Sequence, residues 1–319
     1  MTDRVVVLDD FIPADALSDS LAAAGISADV VHQSEFPSGP GIIALLVGPE
    51  TTGLEPRHLS DLPDLRLLSA TSAGYDHLPV SAAHERGLWV TRAVDYCTEE
   101  VADHALALTL GLLRSTHTLD RSVHAGGWDV TAAPPRRIAG TVLGLYGFGR
   151  IAGAFALRAR AVGMTVLVSG RGLGDRVGEL AAEGIEVVGF EDLLRRSDVL
   201  SLHVPLTPET QGLIDARALS TLKRGGYLVN VSRGGLVDHD ALGAALRGGH
   251  LAGAAVEVLP NEPPAQDDPI LHIPNLVITP HAAWYSPQVA HTLAQQSARN
   301  VAAVLTGASP VGVVAAPGM

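Results

Sequence analysis

Cysteine occurs once, at Cys97. A single thiol excludes an intrachain disulfide, and a thiolate metal cluster needs more sulfur. Cys97 is expected to serve as a small, half-buried apolar residue. Aromatic residues are scarce, 4% of 319, so Ala, Val and Leu must fill the cores. Basic residues do not balance the acids: 22 Lys and Arg stand against 34 Asp and Glu, a net charge of −12. An acidic chain without a basic stripe argues against nucleic-acid binding and against adhesion to anionic membranes. No apolar run approaches the roughly 18 residues of a membrane span, and acids interrupt MTDRVVVLDD where a signal peptide would be apolar. A soluble cytoplasmic protein is expected, with no nucleic-acid or membrane partner. The histidines show no metal-ligand spacing and no H-E-x-x-H, so no metal site is expected.

What the chain does have is apolar content, 47%, enough for large cores. Its length exceeds what one core usually serves, so two domains are expected. The first part alternates short apolar strands (Val5–Leu8, Ile42–Val47, Leu65–Ala70, Leu88–Thr91) with a helical stretch at Ala14–Ala24 that stops at Gly25. Thr98 is the expected N-cap of a long helix with Glu99 and Glu100 in its first turn, running to about residue 120. From Thr141 a second series begins, with strands predicted at Val142–Tyr146, Thr165–Ser169, Glu186–Val188, Val199–Leu202, Tyr227–Val231, Ala254–Val258 and Leu276–Thr279. Strands this apolar belong in a parallel sheet covered by helices on both faces. Pro287–Leu305 is predicted as an amphipathic helix, and the Gly/Pro/Ala-rich tail after Gly307 as loose.

GLYGFGRIAGAF follows the first strand of the second series. Gly147 and Gly149 fit G-x-G-x-x-G/A, with Ala152 in the third place. The glycines allow a tight turn and let a pyrophosphate approach the backbone at a helix N-terminus. A strand before it, a helix after it and further βαβ units make the motif informative. The next strand ends in Ser169, Gly170 and Arg171, where a dinucleotide site selective for NAD carries an acid. A carboxylate there would repel a 2′-phosphate, whereas an arginine grips one, so NADP(H) is expected as the preferred cofactor and NAD(H) as the alternative. Three polar motifs stand directly after predicted parallel strands: VNVSRGG with Arg233, VEVLPNEPP with Glu257 and Glu262, and ITPHAAW with His281. Ligands bind outside the carboxyl ends of such strands, so these groups are expected to converge.

Together with SAGYDHL (72–78), DYCTEEVADHALAL (95–108), LHVPLTPET (202–210) and TPHAAWYS (279–286), these stretches resemble the D-isomer-specific 2-hydroxy acid dehydrogenases. The closest resemblance is to the branch with C-terminal-binding-protein dehydrogenase-like domains. The resemblance implies an α/β fold of two Rossmann-like or flavodoxin-like domains with parallel sheets and a cleft between them. Residues 1–99 with 285–319 would form a discontinuous substrate domain, and 100–284 the dinucleotide domain. It implies Arg233, Glu262 and His281 as catalytic residues, with His281 the acid/base and Glu262 its partner. Ala73, Gly74, Tyr75, Arg233 and Trp284 would bind substrate. Thr98, Arg150, Ile151, His203, Val204, Pro205, Thr210, Val231, Ser232, Glu257, His281 and Ala283 would join Gly147, Gly149, Ser169, Gly170 and Arg171 around the cofactor. A homodimer through about 100–135 is implied as well. The chemistry is consistent with these roles. Reduction of a 2-oxo acid places charge on the carbonyl oxygen, an imidazolium can protonate it, and a guanidinium fork matches a carboxylate.

Two positions depart from the family pattern. Gly170 replaces the NAD-selecting aspartate, and Glu257 replaces an aspartate that contacts the nicotinamide carboxamide. Small substrates such as glyoxylate or hydroxypyruvate are expected. A phosphorylated hydroxy acid or phosphite is an alternative, but SAGYDHL supplies no Lys or Arg to hold it. A dinucleotide-sensing, corepressor-like interaction protein is the alternative from another class.

Overall fold

A computed structural model describes residues 3–319. In chain order the first stretch carries β1 (Asp3–Leu8), α1 (Ala14–Ala23), β2 (Ala28–His32), β3 (Ile42–Val47), α2 (Pro56–Ser60), β4 (Leu67–Ala70), α3 (Val80–Glu85) and β5 (Trp89–Arg92). Then come α4 (Thr98–Leu113), α5 (Thr116–His124), β6 (Val142–Tyr146), α6 (Arg150–Ala161), β7 (Thr165–Ser169), α7 (Val177–Ala182), β8 (Ile185–Val187), α8 (Phe190–Arg196), β9 (Val199–Leu202), α9 (Ala216–Thr221), β10 (Gly226–Asn230), α10 (His239–Arg247), β11 (Leu251–Val256) and β12 (Leu276–Ile278). The last stretch adds α11 (Pro287–Thr306) and β13 (Val313–Ala315). The chain divides into two compact units, residues up to Tyr96 with those from Tyr285 onward, and Cys97–Trp284. Among the described residues no helix is long and apolar enough to cross a membrane.

The first unit holds a six-stranded sheet in the order β13-β5-β4-β3-β1-β2. Its neighbours are parallel except β13, which runs antiparallel to β5. β3, IIALLV, is buried at every position, as a central strand covered on both faces must be. α11 starts at Ser286, whose hydroxyl accepts the Val289 N–H at 3.2 Å, with Pro287 at the first helical position. The tail is therefore not loose as expected. Asn300 of α11, 2% exposed, accepts the Val311 N–H at 2.9 Å and donates to the Val311 carbonyl at 3.1 Å, which steers β13 onto β5. Gln296 holds both backbone groups of Val94 in the same way, at 2.9 Å each.

The second unit is a seven-stranded, all-parallel sheet in the order β12-β11-β10-β9-β6-β7-β8. Chain order reverses beside β6, between β9 and β7, which makes the edge beyond β6 the expected ligand site of a doubly wound sheet. Phe155 of α6 is fully buried and, with Leu143, Leu145, Val168 and Ala102, anchors the core on one face. The helix from Thr98 departs from expectation twice. Cys97, not Thr98, occupies the N-cap position, without a side-chain capping bond, and it is buried rather than half-buried. The helix also ends at Leu113, because Ser115 turns left-handed at φ 54° and starts α5 separately. Ile42–Val47, Val142–Tyr146, Thr165–Ser169 and Val199–Leu202 have the predicted ends, and the remaining ends lie within three residues of the predicted ones, the scale on which strand and helix ends are ill-defined.

Candidate active site

The dinucleotide turn is built where β6 ends. Gly147 takes φ +94°, and a methyl group on it would lie 2.4 Å from the His203 carbonyl oxygen, so only glycine lets the turns after β6 and β9 meet. Its N–H donates to the Ser169 carbonyl at 2.8 Å, tying in the end of β7. Gly149 precedes α6 in an extended conformation, with open space where a side chain would stand. The first bond of α6 runs from the Gly153 N–H to the Gly149 carbonyl at 2.9 Å, so the amides of Ile151 and Ala152 belong to the turn's mouth. Ala152 itself is wholly buried against the sheet, which explains why its side chain must be small. Open space, a helix N-terminus and amides directed at it fit a pyrophosphate.

Ser169 is buried, Gly170 follows, and Arg171 is exposed. The Glu209 carboxyl is held below its ordinary range, first by the Thr207 hydroxyl, then by its own N–H, with the Arg171 charge adding to the effect. Arg171 therefore shares its surroundings with an acid from the turn after β9. Arg176 lies over the Phe148 ring at 5.5 Å and pairs with Glu179 at 2.8 Å. In the turn after β9, Thr210 accepts the Thr207 N–H and donates to the Pro205 carbonyl, both at 2.8 Å. The Ser232 hydroxyl donates to the Val204 carbonyl, so the turns after β9 and β10 are joined. His203 contacts the Ser201 hydroxyl at 2.9 Å, and burial pushes its imidazole down to about 4, which leaves it neutral near pH 7.

Asn230, the buried last residue of β10, shapes the segment Val231–Arg233. Its amide donates to the Arg233 carbonyl at 2.9 Å and accepts the Ser232 N–H at 3.1 Å. Arg233 follows in extended conformation, its guanidinium donating to the Ser232 carbonyl at 2.9 Å. Gly234 then passes so close to Leu259 that a methyl group would lie 2.1 Å from that residue's backbone carbon. This close approach sets the arginine segment beside the segment that carries Glu262. Glu262 Oε1 accepts the Leu259 N–H at 2.6 Å, and Oε2 lies 2.6 Å from His281 Nδ1. Desolvation raises the Glu262 carboxyl, but the bonds from His281 and Leu259 and the charges of His281 and Arg233 outweigh it and leave it below its ordinary value. The expected trio thus comes together: His281 and Glu262 in contact, Arg233 near enough for its charge to act on Glu262.

Glu257, 1% exposed, follows β11 directly. Its Oε1 accepts the Ala283 N–H, and its Oε2 accepts the Thr279 hydroxyl and lies 3.2 Å from His104 Nε2. Burial works to raise this carboxyl, yet the bonds from His104, Thr279 and Ala283 hold it below its ordinary value. His104 and Asn230 were not among the expected site residues. The signal for His104 was indirect: a glutamate closing the apolar run AGAAV must be paired if buried, so a basic partner had to exist. In the first unit, Ala73, Gly74 and Tyr75 follow β4; the Ser72 hydroxyl donates to the Gly74 carbonyl at 2.6 Å and Arg92 to the Ala73 carbonyl at 3.2 Å. Thr98 is the first residue of α4, and Trp284, partly buried, ends the second unit.

A doubly wound dinucleotide sheet whose carboxyl edge carries a carboxylate–histidine pair with an arginine beside it defines a nicotinamide-dependent oxidoreductase. Residues 106–283 match the NAD-binding domain of the D-isomer-specific 2-hydroxyacid dehydrogenases. The chain is 38% identical over 259 residues to a glyoxylate reductase of Korarchaeum cryptofilum, covering 79% of this chain and 76% of that one. It is also 38% identical over 267 residues to a glycerate dehydrogenase of Methylorubrum extorquens, covering 81% of each. Its fold matches a D-lactate dehydrogenase from Aquifex aeolicus, solved with NAD and lactic acid, at a TM-score of 0.81 and 27% identity over 96% of both chains. The chain belongs to the D-isomer-specific 2-hydroxyacid dehydrogenases and is an oxidoreductase of that family. These matches do not single out the C-terminal-binding-protein branch.

Proposed function

We propose that the protein reduces a small 2-oxo acid, such as glyoxylate or hydroxypyruvate, to the D-2-hydroxy acid, with His281 as proton donor. The carrying observation is the 2.6 Å contact between His281 Nδ1 and Glu262 Oε2 at the carboxyl edge of the sheet. A reduced dinucleotide held at the Gly147–Gly149 turn would supply the hydride. With Nδ1–H donated to Glu262, the Nε2–H of a protonated His281 is left for the carbonyl oxygen as charge develops there. Arg233 holds the substrate's carboxylate and carbonyl through its planar fork. Trp284 forms a pocket wall, and the assignments of Ala73, Gly74 and Tyr75 to substrate rest on the family resemblance alone.

NADP(H) is the proposed preferred cofactor, because Gly170 removes the 2′-hydroxyl-binding acid and Arg171 offers a positive charge in its place. Glu209 tempers that charge, so NAD(H) remains usable. The proposed partner is a second copy of the chain, joined through about residues 100–135. In that segment Trp128 is 92% and Val130 84% exposed, large apolar surfaces that a dimer interface would cover. A panel of 2-oxo acids followed by nicotinamide absorbance, with NADH and NADPH in parallel, tests the proposal. Turnover of small 2-oxo acids supports it; tight dinucleotide binding without turnover across the panel would point to a dinucleotide sensor instead.

A further inference from the structure

His281 is one of the non-glycine residues with left-handed backbone, at φ +52°. Such a conformation is unfavourable for a residue with a side chain and persists only where the surroundings enforce it. Here Glu257 contacts the segment around it at three points. The Glu257 backbone carbonyl accepts the His281 N–H at 3.0 Å. Its carboxylate accepts the Thr279 hydroxyl two residues before His281 and the Ala283 N–H two residues after it. A buried carboxylate with only these two donors would still be poorly compensated, and the third donor comes from a different element. His104 of α4 brings Nε2 to 3.2 Å from both Glu257 Oε2 and Thr279 Oγ1.

We propose that His104 and Glu257 form a positioning pair for His281: the histidine on α4 holds the buried carboxylate, and the carboxylate clamps Thr279 and Ala283 on either side of the proton donor. The inference rests on the reading of His281 as that donor. The longer side chain at 257, glutamate where the family pattern has aspartate, serves this clamp. Its carboxylate contacts the Ala283 amide through one oxygen and the His104 ring through the other. Neither residue delivers a proton; both set the angle from which His281 does.

The test uses full-length His104→Phe, His104→Gln and Glu257→Gln. For each, kcat, both KM values, the solvent deuterium isotope effect on kcat and the thermal midpoint are measured. His104→Phe is expected to lower kcat about tenfold, since a small misplacement of a reacting group has effects of that order or larger. The dinucleotide KM should change less than kcat, because the Gly147 turn is untouched, and the isotope effect should rise as proton delivery slows. His104→Gln, which keeps a donor, should recover most of kcat. Unchanged kcat and isotope effect in His104→Phe would overturn the proposal, as would a loss of activity that only tracks the unfolded fraction. Should Glu257→Gln fail to fold, the His104 variants decide. His281→Asn belongs in the same series: if it is active, the proton-donor reading fails; if it is inactive while His104→Phe behaves as wild type, only the pairing fails.

Discussion

Replacing Glu262 by glutamine keeps the size and shape of the side chain but removes one acceptor. In the native site both carboxylate oxygens are used, Oε1 by the Leu259 N–H and Oε2 by His281 Nδ1, each at 2.6 Å. A glutamine has one oxygen to share between these two donors. If it accepts from Leu259, its NH₂ faces His281 Nδ1, which must then carry a lone pair and keep its proton on Nε2 as a neutral ring. If it turns the other way, it supports His281 but leaves the Leu259 N–H facing a donor and loosens the segment. Either arrangement forfeits one charge-assisted bond worth roughly 1.5–3 kcal/mol. At about 1.4 kcal/mol per decade, kcat should fall by roughly 10- to 150-fold. The dinucleotide KM should hardly change, since Glu262 is remote in sequence and contact from the Gly147 turn. Initial rates followed by nicotinamide absorbance at saturating dinucleotide give both parameters. A kcat within about twofold of wild type would refute the role given to this pair.

Gly147→Ala places a methyl group 2.4 Å from the His203 carbonyl on a φ of +94°, so the dinucleotide KM should rise by about tenfold or more while the circular-dichroism spectrum stays native; an unchanged KM would count against the turn as cofactor site. Arg171→Ala should raise the KM for NADPH and leave that for NADH nearly unaltered, and Glu209→Gln should do the reverse by lowering the KM for NADPH; equal effects on both dinucleotides would remove the 2′-phosphate argument. The folded His203 value of about 4 lies below its ordinary 6.5, so the unfolded chain binds the extra proton. Its contribution is therefore intact above pH 6.5 and is lost as pH falls toward 4, by up to about 3 kcal/mol. Denaturant unfolding of wild type and His203→Gln across that window checks this, and identical pH slopes would contradict it.

Much of the second unit was legible because its strands announce themselves. VLGLY, TVLVS and VLSL are apolar on both faces, and the Gly147 turn follows the first of them. Elements held by partners rather than by their own pattern were not legible. β2, ADVVH, is an edge strand with no buried position and only a two-residue apolar run. β13 exists because Asn300 grips Val311 and β5 offers an edge, and neither fact is local to Val313–Ala315. The same division holds in the site. Arg233, Glu262 and His281 each stand near a strand end, so topology alone was enough to gather them. The bond from His104 to Glu257 joins residues far apart in sequence across a helix and a sheet, and no spacing encodes it. Its cue was chemical, a glutamate where burial requires a partner.

The most direct test of the central claim is the rate of glyoxylate and hydroxypyruvate reduction by His281→Asn beside wild type, with dinucleotide binding followed by fluorescence. Loss of proton donation should lower kcat by about 100-fold or more while dinucleotide binding is retained. Turnover by His281→Asn at the wild-type rate would contradict the account.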